Sequence, residues 1–308
     1  MPRPREVPLA RPLDPREILA LDPEGADHLL DRLDAAVPVH PGALALPSAG
    51  GAREALLFGD THGDWRSTEA IARIFLEDPS SYLLIGLGDY IDRPPEDCPN
   101  GSVANALFLL GLAASFPDRV VLLQGNHEAT RRIPVVPHDL PEEVDDLWGP
   151  EVERYARILG LLERGPWIAT SSNGLYLAHA GFPVEPFPPD LAQAYRDPSE
   201  ELLYDTVWRD AGPSRAERGL SPPFLDRDLG AFLTHIGARL FVRGHDPDLA
   251  GRVIYQHRCL TLHSTRVYER YGGVLYARAR LDRPLGSADD LTVAHVETEG
   301  RSYDADPG

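Results

Sequence analysis

The chain predicts an α/β fold, and two recurring patterns carry that reading. Short apolar runs end abruptly in a glycine and a polar cluster, and they do so repeatedly along the chain. Between these runs lie stretches with apolar residues at helical spacing. Buried strands alternating with helices make an α/β domain. The length of 308 residues, with 43% hydrophobic and 25% charged residues, is enough to bury a full core.

Taken in order, residues 1–52 are rich in Pro and Arg and carry one expected short helix near residues 15–33, with Leu19, Leu21, Leu29, Leu30 and Leu33. Gly50-Gly51 then punctuates the chain. This segment is expected to be an N-terminal extension rather than a separate domain. A catalytic domain is expected over 53–301 and a frayed tail over 302–308.

Strands are expected at residues 55–58, 82–87, 120–123, 175–177 and 240–242, each an apolar run closed by Gly or a polar cluster. Amphipathic helices are expected at 68–76, 103–116, 152–162 and 225–236. Four late strands near 252–255, 259–263, 273–279 and 291–296 lack helices between them, which suggests a meander completing a second sheet. Residues 133–149 form an acidic stretch that is expected to line or cover the site.

Composition excludes several classes of function. The formal net charge is −18 and no Lys/Arg run stands out, so the surface is not that of a nucleic-acid binder. A phosphate site would need a local gathering of Arg and cations. The sequence contains no lysine, so neither a phosphate-binding P-loop nor a Schiff base is available. Two cysteines, Cys98 and Cys259, make no disulfide framework and suggest a reducing, cytoplasmic setting. The N-terminus lacks the apolar stretch of a signal peptide, and no apolar run is long enough to span a membrane.

The informative residues stand where the apolar runs end. Asp60, His62, Asp89, Asn126, His179 and His245 all follow expected strands. In an α/β sheet the carboxyl ends of strands open on one crevice, where ligands bind. Carboxylates gathered there repel each other unless cations offset them. Mixed His, Asp and Asn donors suit Mn, Fe or Zn better than Mg or Ca. Asp60 and His62, two residues apart on a loop, can turn onto one ion, and Asp89 could bridge two. Two such ions can share a hydroxide and clamp a phosphate.

The ordered motifs Gly59-Asp60-Thr61-His62-Gly63, Gly88-Asp89-Tyr90-Ile91-Asp92-Arg93 and Gly125-Asn126-His127-Glu128 resemble the phosphoprotein phosphatase family of calcineurin-like metallophosphoesterases. His179-Ala180-Gly181, Glu217-Arg218-Gly219 and Arg243-Gly244-His245 fit the same family, and the likeness covers about residues 55–280. The resemblance implies a four-layer sandwich of two mixed sheets flanked by helices. It implies one ion on Asp60, His62 and Asp89, and a second on Asp89, Asn126, His179 and His245. Manganese is expected first, with Fe or Zn as alternatives. His127 would protonate the leaving oxygen, and Asp92 would orient it. Arg93 and Arg218 would grip phosphate oxygens, with Asn126 and Tyr268 also facing the substrate. The activity implied is that of a serine/threonine protein phosphatase acting through a hydroxide that bridges the ions.

Departures from the family pattern bear on the substrate. Pro94 follows Asp-Arg where the family usually has Gly, and Gln124 stands where many members have Arg. His179-Ala180-Gly181 is familiar from the dinucleoside tetraphosphatase branch, which gives the alternative function of symmetrical diphosphate hydrolysis. The partner is thus a phosphorylated protein or a phosphorylated small molecule, with neither nucleic acid nor membrane expected; nothing in the sequence sets the oligomeric state. No member of the ligand set is missing, the mark that a catalytically silent relative would carry. His127-Glu128 does not begin a zincin motif, because Arg131 occupies the second His position. His28, His40, His138, His235, His257, His263 and His295 read as surface or satisfied core histidines, and Cys98 as an exposed loop thiol.

Overall fold

A computed structural model of the protein describes residues 12–46, 52–213, 221–271 and 273–298. Arg218 lies outside the described residues, as do 1–11, 47–51 and the tail from 299.

The described chain opens with helices α1 (Pro15–Leu19) and α2 (Pro23–Ala36), then strands β1 (Ala43–Ala45) and β2 (Glu54–Phe58). Next come α3 (Trp65–Glu77), β3 (Tyr82–Gly86), α4 (Gly101–Ser115), β4 (Val120–Leu122), α5 (Leu140–Trp148) and α6 (Val152–Leu162). Strands β5 (Ile168–Thr170) and β6 (Leu175–Ala178) precede α7 (Leu191–Ala194), α8 (Glu200–Val207) and α9 (Asp226–Ile236). The last strands are β7 (Leu240–Arg243), β8 (Val253–Ile254), β9 (Cys259–Thr261), β10 (Leu275–Arg280) and β11 (Leu291–His295).

Two mixed sheets result. One has the order β11-β10-β2-β3-β4, with β2, β3 and β4 parallel; the other runs β1-β5-β6-β7-β9-β8, with β6, β7 and β9 parallel. Successive strand side chains point to opposite faces. Ala55, Leu57, Leu83 and Ile85 therefore face Leu175, Leu177, Leu240 and Val242 in a core between the sheets. Leu56, Phe58 and Leu84 face outward onto α2, α4 and α6, while Tyr176, Ala178 and Phe241 face outward onto α8 and α9. The result is the expected helix–sheet–sheet–helix sandwich, here derived from alternation within each strand.

Several expectations are corrected. The late strands do not form one meander: β10 and β11 join the first sheet, where β10 pairs antiparallel with β2, while β8 and β9 join the second. Short apolar strands carry no label for their sheet, so local pattern could not divide them. Helix α4 is not amphipathic; it is buried on nearly every side between the first sheet and the helices α1, α2, α3, α5 and α6. Cys98 is buried, not exposed. The acidic stretch 133–149, for which no element was expected, carries helix α5. The helix expected near 15–33 is two helices, because Asp22 caps α2 through the Gly25 N–H and Pro23 starts it.

The segment before residue 53 is part of these layers. Ile18, Leu29, Leu30 and Leu33 are buried in the outer core, and β1 pairs parallel with β5.

Candidate metal centre

The two sheets meet at one rim, at the carboxyl ends of β2, β3, β4, β6, β7 and β9. Just beyond β2 and β9, Asp60 and His263 form a parallel bridge. Thr61 and His62 both donate backbone N–H groups to the Asp89 carbonyl. The turns are tight: His62, Asp89, Asp92, Arg93 and His245 all have positive φ, an uncommon conformation for residues other than Gly, Asn and Asp. Two glycines in the motifs permit the packing. A Cβ on Gly125 would lie 2.2 Å from Asp89 Oδ1, and one on Gly244 would lie 2.2 Å from Asp60 Oδ1.

Asp60, His62, Asp89, Asn126, His179 and His245 converge as buried side chains. Each imidazole presents one nitrogen inward while the other faces a partner. His62 Nδ1 donates to the Ile91 carbonyl at 3.2 Å, leaving Nε2 3.9 Å from Asp60 and 3.8 Å from Asp89. His179 Nδ1 donates to the Leu87 carbonyl at 2.9 Å, and its Nε2 lies 3.3 Å from Asp89 Oδ2 and 2.9 Å from Asn126 Oδ1. His245 turns Nδ1 to within 3.1 Å of Asn126 Oδ1 and 3.2 Å of His179 Nε2, while Nε2 faces Asp210 at 3.7 Å. Outward partners of this kind fix the tautomer and aim the lone pair at an ion.

The charges show the same demand for cations. Burial, with Asp89 adding, pushes the Asp60 carboxyl up to about 7. Burial also acts to raise Asp89, but His179 and His127 outweigh it and hold that carboxyl well below the usual range. Burial would lower His179, yet Asp89 and Asp60 raise it to about 9. The acids thus draw protons onto an imidazole in their midst. Divalent ions would meet that demand and leave the histidines neutral. His62, Asp89 and His127 form one compact group of donor atoms, and Asp89, His179 and His245 another. The residues present fit two ions, with Asp89 common to both groups.

Beside this cluster, His127 Nδ1 donates to Asp92 Oδ2 at 2.5 Å, and the buried Nε2 faces the acids without a hydrogen bond, 3.9 Å from Asp89 Oδ2. Burial works against protonation of His127, but Asp89 and Asp92 raise its affinity for a proton. Arg93 Nη1 donates to the Tyr268 hydroxyl at 3.3 Å, and the Tyr268 ring stands edge-on to His62. Every sequence-derived site residue that the structure describes is therefore brought to one rim; Arg218 lies outside the described residues.

Three supporting residues escaped the sequence reading. Glu128, named there within a motif but given no role, accepts backbone N–H groups from Asp89, Tyr90 and Gly125 and so holds two motifs together. His138, half-buried with both ring nitrogens partnered, donates to Asp92 Oδ2 at 3.0 Å beside His127, a link to the site that the sequence reading did not give it. His263 is buried against Asp60 and is not a satisfied core histidine. Nothing local in the sequence marks the last two; only their distant partners do.

Comparison with known proteins follows the same lines. Residues 55–249, more than half of the chain, match the calcineurin-like phosphoesterase family model. A probable serine/threonine-protein phosphatase of Encephalitozoon cuniculi is 29% identical over 259 residues, covering 77% of this chain and 52% of that protein. A PP2A-like serine/threonine-protein phosphatase of Candida albicans is 26% identical over 266 residues, covering 83% and 61%. The chain thus spans about half to three fifths of the length of these relatives. A solved serine/threonine phosphatase from Saccharomyces cerevisiae, described as similar to human phosphatase PP5, superposes with a TM-score of 0.66 at 17% identity, covering 94% of this chain and 91% of that one.

Proposed function

Since this chain belongs to the calcineurin-like phosphoesterase family, we propose that it hydrolyses phosphoserine and phosphothreonine esters of proteins. The observation that carries the reading is the convergence of six oxygen and nitrogen donors beside a buried imidazole–carboxylate pair 2.5 Å apart. The dinucleoside alternative suggested by His179-Ala180-Gly181 is not favoured, because the sequence relatives are serine/threonine phosphatases.

Two divalent ions, one held by Asp60, His62 and Asp89 and one by Asp89, Asn126, His179 and His245, would supply positive charge and make water acidic near neutral pH. Manganese is our first assignment, with iron or zinc next. Asp92, accepting from Nδ1, turns the His127 ring so that Nε2 faces the acids, and with Asp89 it favours the doubly protonated ring. As that imidazolium, His127 gives its Nε2 proton to the departing seryl or threonyl oxygen, which leaves as a neutral alcohol, and the ring keeps its Nδ1 proton on Asp92. The Arg93 fork, steadied by Tyr268, binds phosphate oxygens in pairs. Arg218 would add a second fork, and Asn126 orients the phosphate. Two free buried cysteines are consistent with a reducing, cytoplasmic setting, and no described helix is long and apolar enough to cross a membrane.

Turnover of a phosphothreonine peptide and of diadenosine tetraphosphate, each with Mn2+ and with excess EDTA, tests the reading. Rapid peptide hydrolysis that EDTA abolishes is expected. Cleavage of the dinucleotide alone would replace the substrate assignment, and activity that survives EDTA would overturn the ion-dependent mechanism.

A further inference from the structure

His263 is 1% exposed, and neither of its ring nitrogens has a hydrogen-bond partner. A buried imidazole with both polar atoms bare is costly, since each lost bond to water goes unreplaced. Its position is nonetheless fixed. Ser264 donates its N–H to the Asp60 carbonyl at 2.9 Å, Gly59 donates to Ser264 Oγ at 2.9 Å, and Leu275 donates to the His263 carbonyl at 2.8 Å. Bridge-paired residues place their side chains on the same side, and here His263 Nε2 lies 3.4 Å from Asp60 Oδ2.

That contact is too long for a good hydrogen bond and close enough for two lone pairs to repel. It does match the spacing of two donors on one cation: donors ~2.1 Å from a tetrahedral ion lie ~3.4 Å apart. The Tyr268 ring stands edge-on to both imidazoles, 5.9 Å from His62 and 5.6 Å from His263, so the two rings flank one tyrosine beside Asp60.

We propose that His263 is a further protein ligand of the ion held by Asp60, His62 and Asp89. The inference rests on the dinuclear reading above and extends it. With His263 in place, that ion gains a donor from the second sheet, which otherwise supplies ligands only to its neighbour. A fuller protein coordination sphere leaves fewer positions for water and favours an ion that accepts several nitrogen donors.

A crystal of the full chain loaded with Zn2+, phased on the zinc anomalous signal, gives the distance directly. We expect His263 Nε2 about 2.1 Å from the ion beside Asp60. Two ions with His263 more than about 3 Å from either overturn this inference alone. Absence of any ion beside Asp60 overturns the dinuclear reading and this inference with it. In solution, H263F should weaken one of two Zn2+ equivalents by at least about 10–100-fold in competition with a chromophoric chelator. Unchanged affinity for both would count against the assignment, and the wild-type distance decides if H263F does not fold.

Discussion

Asp92 shows how much of the chemistry depends on single atoms. Its Oδ2 accepts from both His127 at 2.5 Å and His138 at 3.0 Å, while Oδ1 accepts the Asp139 and Leu140 N–H groups. Burial opposes its ionisation, but the His127 and His138 hydrogen bonds prevail and hold Asp92 below the carboxylate range. His138 is itself oriented by Tyr155, whose hydroxyl meets Nε2 at 2.9 Å. His138 thus positions the carboxylate that positions His127. A proton donor matters most for a poor leaving group. H138A should therefore lower the ratio of phosphoserine-peptide to nitrophenyl-phosphate kcat by about tenfold, and H138N should restore part of it. For H127Q the same ratio should fall by about 10²-fold or more; equal losses on both substrates would remove His127 from the acid role. Asp60, His62, Asp89, Asn126, His179 and His245 were legible in the sequence because each closes an apolar run. His138 and His263 were not, because their partners are 46 residues away in Asp92 and across the sheet seam in Asp60.

Helix α5 matters at the next scale, and the sequence saw only its acidity. Glu143, in its first turn, accepts from Ser102 Oγ at 2.6 Å and from the Val103 N–H, and Ser102 Oγ in turn accepts the Asp92 N–H. The acidic stretch therefore braces the loop after β3 as well as covering it. Burial pushes the Glu143 carboxyl up to about 7. A raised acid binds its proton more tightly when folded than when unfolded. Its contribution is then fully present below the unfolded value near 4.5 and is lost as pH rises toward 7. Each pH unit in that window is worth up to about 1.4 kcal/mol. E143Q, which mimics the protonated form, should show a flatter stability profile in urea melts between about pH 5 and pH 8. An unchanged slope would remove Glu143 as its source. A second brace joins Asp64, the cap of α3, to Arg266, whose guanidinium donates at 2.7–3.2 Å to Asp64 and at 2.7 Å to Asp97. D64A should destabilise the fold by about 3–5 kcal/mol, because it strips a buried guanidinium of its main partner. The existence of most strands and helices was legible from periodicity. Their division between two sheets was not, because neither β9 nor β10 carries a local mark of the strand it pairs with: β9 joins β7 and β10 joins β2, both far back in the chain.

For the molecule as a whole, the sequence marked a boundary at residue 53 where the packing is continuous. Ile18, Leu29, Leu30 and Leu33 lie in the same core as Leu56 and Phe58. Each such side chain contributes about 1.5–3 kcal/mol when buried, against a typical net stability of about 5–15 kcal/mol. A chain starting at residue 53 should therefore fail to give a cooperative melt under conditions where the full chain gives one. Leu29, Leu30 and Leu33 were legible as a helix face, but the Pro and Arg content of 1–52 gave no sign that this face completes the core.

The ligands at the rim come from both halves of the sandwich: Asp60, His62, Asp89 and Asn126 follow strands of one sheet, His179 and His245 strands of the other. An ion bound there would work as a rivet, and its occupancy and the docking of the halves would become one linked equilibrium. At a free ion concentration a hundredfold above Kd, the native state should gain about 2.7 kcal/mol, so chelation would leave the protein easier to pull apart as well as inactive.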